Sequence, residues 1–361
     1  MLSVACSLHQ LCASRFDVIA PSSHTSNKTT VFASTEIKKK KNLTNPPRAQ
    51  EPGILDEEIF QAEKAQAVIT KKETTDQFNH PGWYSKLTRR APGKFPALSP
   101  CRLSYVMSWA KIVKSGEAVL TYGAEAHKDF PGLMIARSKG KSAGLARTFW
   151  KYDYSFFSAI DQKQLRSVSF FSKERDSGES LITSNRYDSK GLLCEQRMEV
   201  FATGDVYDRR ERFPYSEARD LLSTALYLRS LDWKQGDRII ELVHPFDGPY
   251  LLELTCLGKE NHLTGLVPEG ELPCFKIEVN IRKINDDLQL TNYAKFKKAI
   301  MWVSDDKYRL PIDIKAQVFI GDIHCTLVER QPLAANRETA SEEAQSRELV
   351  SEIQKMENEN D

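Results

Sequence analysis

Between Lys298 and Leu327 the chain reads KAIMWVSDDKYRLPIDIKAQVFIGDIHCTL, and most of its apolar positions fall on a two-residue period. Ala299–Ser304 is a mostly apolar run, closed by the polar turn Asp305, Asp306 and Lys307. Leu310, Ile312, Ile314, Ala316 and Val318 then alternate with Asp313, Lys315 and Gln317. After Gly321, Ile323, Cys325 and Leu327 alternate with Asp322, His324 and Thr326. Alternation of this kind gives a strand one buried and one wet face, so the stretch predicts three short β-strands.

The same period recurs upstream. Leu103, Tyr105, Met107 and Trp109 share one face of a strand over Leu103–Ile112, and Lys114-Ser115-Gly116 turns it into Glu117–Tyr122. Further strands are predicted over Leu133–Arg137, Leu165–Lys173, Leu181–Tyr187, Leu192–Ala202 and Val206–Phe213. A hairpin of Arg238–Val243 and Tyr250–Leu257 follows around Pro245-Phe246-Asp247-Gly248, then Leu263–Val267 and Phe275–Ile281. Two segments break this rhythm. Leu145, Phe149, Tyr152, Phe156 and Ile160 lie three to four residues apart and predict an amphipathic helix, its aromatic stripe serving as core. Ser216, followed by Glu217, predicts the N-cap of a second helix that runs to about Arg229 with Leu221, Leu222, Ala225 and Leu228 inside. The fold class expected is α+β, mostly antiparallel β: a strongly curved sheet or open barrel of about ten strands with two covering helices.

The ends of the chain are different. Residues 1–50 are rich in Ser and Thr with a basic run at Lys38–Lys41, and they read as unstructured. Asp56–Lys71 spaces Ile59, Ala62 and Ile69 as a short helix that Gln66 interrupts. The expected organisation is a disordered or weakly helical segment over 1–82, one β-rich domain over 83–330, and an acidic tail over 331–361 in which Glu342–Met356 has helical spacing. No basic residue precedes Arg15 and the early apolar residues are interrupted, so the N-terminus lacks the shape of a signal peptide; its Ser-rich character also suits an organellar transit peptide.

Composition narrows the partners. Lysine and arginine total 51 against 49 acidic residues, a net charge of +2, a balance that gives no electrostatic case for nucleic acid or for an anionic membrane surface. No apolar run reaches the length of a membrane span. The seven cysteines contain no C-x-x-C pair and read as small buried hydrophobes, with a Cys256–Cys274 bridge open to an exported chain. Catalytic signatures such as G-x-S-x-G, H-E-x-x-H, a P-loop or G-x-G-x-x-G do not occur. His324 has no second ligand at metal spacing after it, and His244 with Asp247 makes an acid–base pair only if a nucleophile joins it. On the strands 192–202 and 206–213, Glu195, Arg197, Glu199, Asp208, Arg210 and Arg212 share a polar face, read as a solvent surface with cross-strand ion pairs. No catalytic, cofactor or metal residue is assigned.

Trp302-Val-Ser-Asp-Asp306, then Arg309-Leu-Pro311, then Gly321 resembles the closing motif of a bacterial family of exported proteins, domain of unknown function 3108. Lys114-Ser-Gly-Glu-Ala118 resembles its opening hairpin, Ser223–Arg229 with Gly236-Asp237 its middle helix and turn, and Cys274-Phe-Lys276 its late strand. The resemblance spans about Ser104–Val328. It implies a sheet curled around helices and a place in the bacterial cell envelope, and it brings no catalytic residues. Trp302, Asp305, Asp306, Arg309 and Pro311 form a structural motif with a candidate functional role, in which Arg309 pairs with the acidic turn and Pro311 suits a strand start. The function expected is that of a non-enzymatic envelope protein binding an apolar ligand or a protein partner in the curved sheet. The alternatives are a hydrolase assembled from dispersed residues such as His244, Asp247 and Asp306, or a structural interaction protein.

Overall fold

The computed structural model describes residues 80–95, 100–126, 132–245, 248–292, 298–318 and 321–333. The expectations for residues 1–50, for the helices at 56–71 and 342–356, and for Asp247 lie outside the described residues.

Eight strands follow one another in the first half: β1 (Cys101–Trp109), β2 (Val113–Ala126), β3 (Leu133–Ser142), β4 (Asp153–Asp161), β5 (Ser167–Arg175), β6 (Glu179–Asp188), β7 (Gly191–Val200) and β8 (Asp205–Phe213). Seven complete the second half: β9 (Arg238–Val243), β10 (Tyr250–Leu263), β11 (Glu271–Ile284), β12 (Leu290–Asn292), β13 (Lys298–Ser304), β14 (Pro311–Val318) and β15 (Gly321–Pro332). Helix α1 (Gly144–Phe149) lies between β3 and β4, and α2 (Leu221–Ser230) separates the two halves. All fifteen strands belong to one antiparallel sheet in the order 8-7-6-5-4-3-2-1-15-14-13-11-10-9, with β12 beside β11. The two halves join where β15 pairs with β1, from Cys101 opposite Pro332 to Trp109 opposite Ile323.

Among the described residues the sheet is open, and its strands number fifteen where about ten were expected. Its inner face curls around α2. Nine of the ten α2 residues are buried, polar Ser223, Thr224, Arg229 and Ser230 among them. A helix buried all round needs internal partners for its polar groups. Here Thr224 Oγ1 donates to the Asp220 carbonyl (2.6 Å), Ser230 Oγ to the Tyr227 carbonyl (2.7 Å), and Arg229 NH2 to the Tyr308 carbonyl (2.7 Å). Inner-face residues from both halves, such as Leu103, Phe156, Leu254, Ile277 and Ile314, form one hydrophobic cluster with α2. The end strands approach each other, since Phe213 at the end of β8 meets the His244 ring at 6.0 Å.

Two helix expectations are corrected. The predicted helix over 145–160 is a six-residue helix followed by strand β4. Tyr152, Tyr154, Phe156, Ser158 and Ile160 are all buried, so the true period is two. The residues Tyr152, Phe156 and Ile160 satisfy a four-residue spacing only because they are alternate members of that series. Leu145 and Phe149, the supposed start of the stripe, face solvent. The second helix is capped by Asp220 instead of Ser216: its carboxylate accepts from the Leu222 and Ser223 amides. Ser216 and Glu217 form a turn, and Arg219 then pairs with the free edge of β9, its N–H donating to the Leu242 carbonyl and its carbonyl accepting from His244 N–H.

Candidate functional site

The Trp302–Pro311 motif splits into two parts. The turn is a structural lock. Asp306 Oδ1 accepts from Ser304 Oγ (2.8 Å), Tyr308 N (2.9 Å) and Arg309 N (3.0 Å). Arg309 has a left-handed backbone (φ 49°) and a buried side chain. Its guanidinium donates to Asp305 (2.5 Å) and lies between the rings of Phe95 and Phe275. Burial tends to raise the Asp305 carboxyl, but Lys259 and Arg309 outweigh it and hold it below its ordinary value. Pro311 opens β14 and its carbonyl accepts from Tyr105 OH (3.2 Å).

Trp302 belongs to the outer face. Its indole N–H donates to Glu260 (2.7 Å) and its ring stacks on His262 at 4.3 Å. Across the strand from it sits Asp313, fully buried, which in the sequence is only one polar position of an alternating strand. Asp313 accepts from Lys111 (3.0 Å), His262 Nε2 (3.2 Å), His324 Nδ1 (3.1 Å) and Thr326 Oγ1 (3.1 Å). Three separate segments, the β1–β2 turn, β10 and β15, therefore converge on one carboxylate. Burial pushes its pKa up, and hydrogen bonds from His262, His324 and Lys111 more than reverse that, holding it well below the carboxylate range. Among the described residues, no group of three or more His, Cys, Asp and Glu is arranged to hold a metal ion.

The inner face of β3 to β7 has a different character. Tyr152, Tyr154 and Phe156 stand at alternate positions along β4 and its approach, and with Trp150 they form a column of rings at 4.6, 6.0 and 4.4 Å. Tyr154 lies so close over Gly140 that a Cβ there would fall 2.3 Å from its ring, so β3 must carry glycine at this position. Beside the rings, several inward positions of β5 to β7 are polar, interspersed with Phe170, Leu192 and Cys194. Ser172 faces Thr183, Phe170 faces Asn185, and Asn185 faces Cys194. Tyr152 OH donates to Glu174 (2.5 Å), and Gln196 Nε2 to Thr183 Oγ1 (3.3 Å). Ser172 and Asn185 are completely buried, yet Ser172 Oγ and both amide atoms of Asn185 meet no hydrogen-bond partner. The Tyr187 hydroxyl lies close to Asn185 and Ser167 without hydrogen-bond geometry to either.

This polar lane continues to the start of α2. Ser158 Oγ donates to Asp220 Oδ2 (2.5 Å), Ser167 Oγ accepts from Asp220 N (2.8 Å), and Ser167 and Ser223 hydroxyls are 2.7 Å apart. Burial raises the Asp220 carboxyl against the hydrogen bonds it accepts. His244 is buried too, and burial followed by the charge of Arg209 pushes its pKa down to about 3. A neutral, buried imidazole at this seam makes no pair with Asp306, which sits in the turn of the lock. On the outward face of β7 and β8, Glu195 takes ion pairs from Arg186 (3.3 Å) and Arg210 (3.2 Å).

The sequence carried one sign of the lane: Ser172, Thr183, Asn185 and Gln196 are polar at positions that a hydrophobic inner face would fill with apolar residues. It carried none of the Asp313 convergence, because Lys111, His262 and His324 come from three distant segments. All five described cysteines are buried free thiols. Among the described residues no helix is long and apolar enough to cross a membrane, a statement that leaves strands aside.

A comparison with curated proteins finds no match. Among solved structures, the chain is similar to a β-barrel-like protein of domain of unknown function 1849 from Brucella abortus, at 8% identity, covering 65% of this chain and 98% of that one with a TM-score of 0.41. It is also similar to a candidate lipoprotein from Parabacteroides distasonis, at 9% identity, covering 67% of this chain and 100% of that one with a TM-score of 0.28. A candidate exported protein from Bacteroides fragilis is matched at 8% identity, over 67% of this chain and 100% of that one, with a TM-score of 0.26. The model of a family described as a protein of unknown function, DUF3108, matches residues 104–328, well over half of the sequence, and the chain belongs to that family.

Proposed function

We propose that this chain is a non-enzymatic, envelope-associated binding protein whose small ligand occupies the inner face of β4 to β7. The observation that carries the reading is Asn185, fully buried with neither amide atom partnered. A buried amide left in this way is costly, and because Asn185 has no accessible surface, a ligand that reaches it has to displace the protein atoms packed on it. The ring column of Trp150, Tyr152, Tyr154 and Phe156 beside it supplies flat apolar contact. The ligand supported is therefore amphipathic, with an apolar part against the rings and a donor–acceptor group at Asn185 and Ser172. That modifies the expectation of a purely apolar ligand, because α2 already fills the apolar side of the curl. The envelope location rests on family membership, whose expectation is an exported protein.

Native mass spectrometry of the full chain, purified from its own host, tests this. A small co-purified mass is expected in the wild type and should be lost in Asn185→Leu. A protein that carries no small molecule, and that Asn185→Leu merely stabilises, would make the lane an imperfectly satisfied core.

A further inference from the structure

The tip of the β1–β2 hairpin and helix α1 together form one exposed apolar surface. Ile112 is 85% exposed, Phe149 86%, Leu145 67%, Trp109 44% and Val113 40%. These are five of the nine large hydrophobic side chains that stand exposed among the described residues, and the other four are scattered over β5, β10 and β15. The two elements adjoin: Ala143 N–H donates to the Ser115 carbonyl (2.9 Å), and a Cβ on Gly144 would fall 2.7 Å from the Lys114 carbonyl. Trp109 faces Val113 across the hairpin. The turn between them holds Ala110 (φ 50°) and Lys111 (φ 61°) in the left-handed region, a strained backbone for residues other than glycine.

The rim of this tip is cationic. Lys111, Lys114, Lys141, Arg147 and Lys151 surround it, against the carboxylates of Asp313, Glu117 and Asp153. Those carboxylates do not cancel the rim, and Lys111, Lys114 and Lys141 keep about half of their side chains in solvent. Apolar side chains projecting beyond a ring of lysines match the two layers of a lipid surface, with acyl chains below and anionic headgroups above. We propose that this tip docks the protein on an anionic lipid bilayer, with Ile112, Leu145 and Phe149 entering the headgroup boundary. The proposal does not rest on the inner-face lane, although Trp150, which directly follows α1, begins its column of rings.

Flotation of the full chain with vesicles of phosphatidylcholine containing about one-third phosphatidylglycerol tests the assignment. Binding is expected to such vesicles, to weaken when salt rises to about 0.5 M, and to be weaker on phosphatidylcholine alone. Ile112→Ser with Phe149→Ser should reduce it by about tenfold or more, while the thermal midpoint stays put because both side chains are exposed. Lys114→Glu with Lys151→Glu should reduce it on the anionic vesicles only. No flotation with either vesicle, or unchanged flotation of the serine variant, overturns the proposal. So does self-association in sedimentation equilibrium that the serine variant abolishes, since the tip would then be an interface between two copies.

Discussion

Replacing Asp313 with asparagine should destabilise the fold strongly at neutral pH and progressively less as the pH falls below about 4. The wild-type carboxylate is fully buried and accepts from Lys111, His262, His324 and Thr326. Asparagine keeps the shape but removes the charge and turns one acceptor into a donor that faces Lys111 or an imidazole. Each hydrogen bond to a charged group is worth about 1.5–3 kcal/mol, and the four are not additive. Lys111 is about half exposed and contributes least, because solvent screens it. Breaking a buried ionic network by removing its centre costs about 3–5 kcal/mol, and that is the loss expected at pH 7. The pH dependence has a definite sign. A carboxyl held below its unfolded value stabilises the fold above about pH 4, and that stabilisation drains away as pH falls toward the depressed folded value. Urea titrations at pH 7 and near pH 3 measure both effects. The gap between wild type and variant should be wide at pH 7 and should narrow in acid. An Asp313→Asn protein within about 0.5 kcal/mol of wild type at pH 7 would refute the account, since ordinary surface substitutions fall in that range.

Other substitutions probe separate parts of the structure. Phe156→Ala should lower stability by about 3–5 kcal/mol in denaturant titration, because its buried ring lies against Tyr154 and Phe170; backbone amides of β4, paired on both sides, should exchange slowly. Arg309→Ala should lose on the order of 1–3 kcal/mol through its pair with Asp305, measured the same way. Asp220→Asn should be neutral or mildly stabilising at pH 7, because a carboxyl raised by burial is least favourable when charged and asparagine still caps α2; a loss above about 2 kcal/mol would contradict this. His244→Phe should flatten the decline of stability between about pH 6.5 and 3, the window in which the unfolded imidazole takes a proton that the buried one refuses.

The strands were legible where side chains alternate strictly, as in Leu103, Tyr105 and Met107 or Ile312, Ile314 and Ala316. Strand β4 was not, because its inward series is aromatic and every second member also fits a helical turn. What decides between the periods is Ser158, an inward polar residue whose place is explained only by Asp220, more than sixty residues later in the chain. The same limit hides the Asp313 convergence, since local alternation states that a position is polar and never which distant donors reach it. The turn lock of Asp305, Asp306 and Arg309 was easier to read because its partners lie within five residues.

The seam between β1 and β15 has a consequence for how the protein is made. Strands β1 to β8 form successive hairpins and can pair as they emerge, yet the outer edge of β1 finds its partner only in the last strand. Roughly 210 residues separate them, so at about 5–20 residues per second a ribosome leaves that edge bare for roughly 10–40 s. During that interval the nascent chain presents a strand of Leu103, Tyr105 and Met107 with unpaired backbone groups, a template for a neighbouring chain. Truncation before β15 should therefore yield aggregation instead of a smaller soluble domain, and a holdase that shields β1 should raise the yield of the full chain.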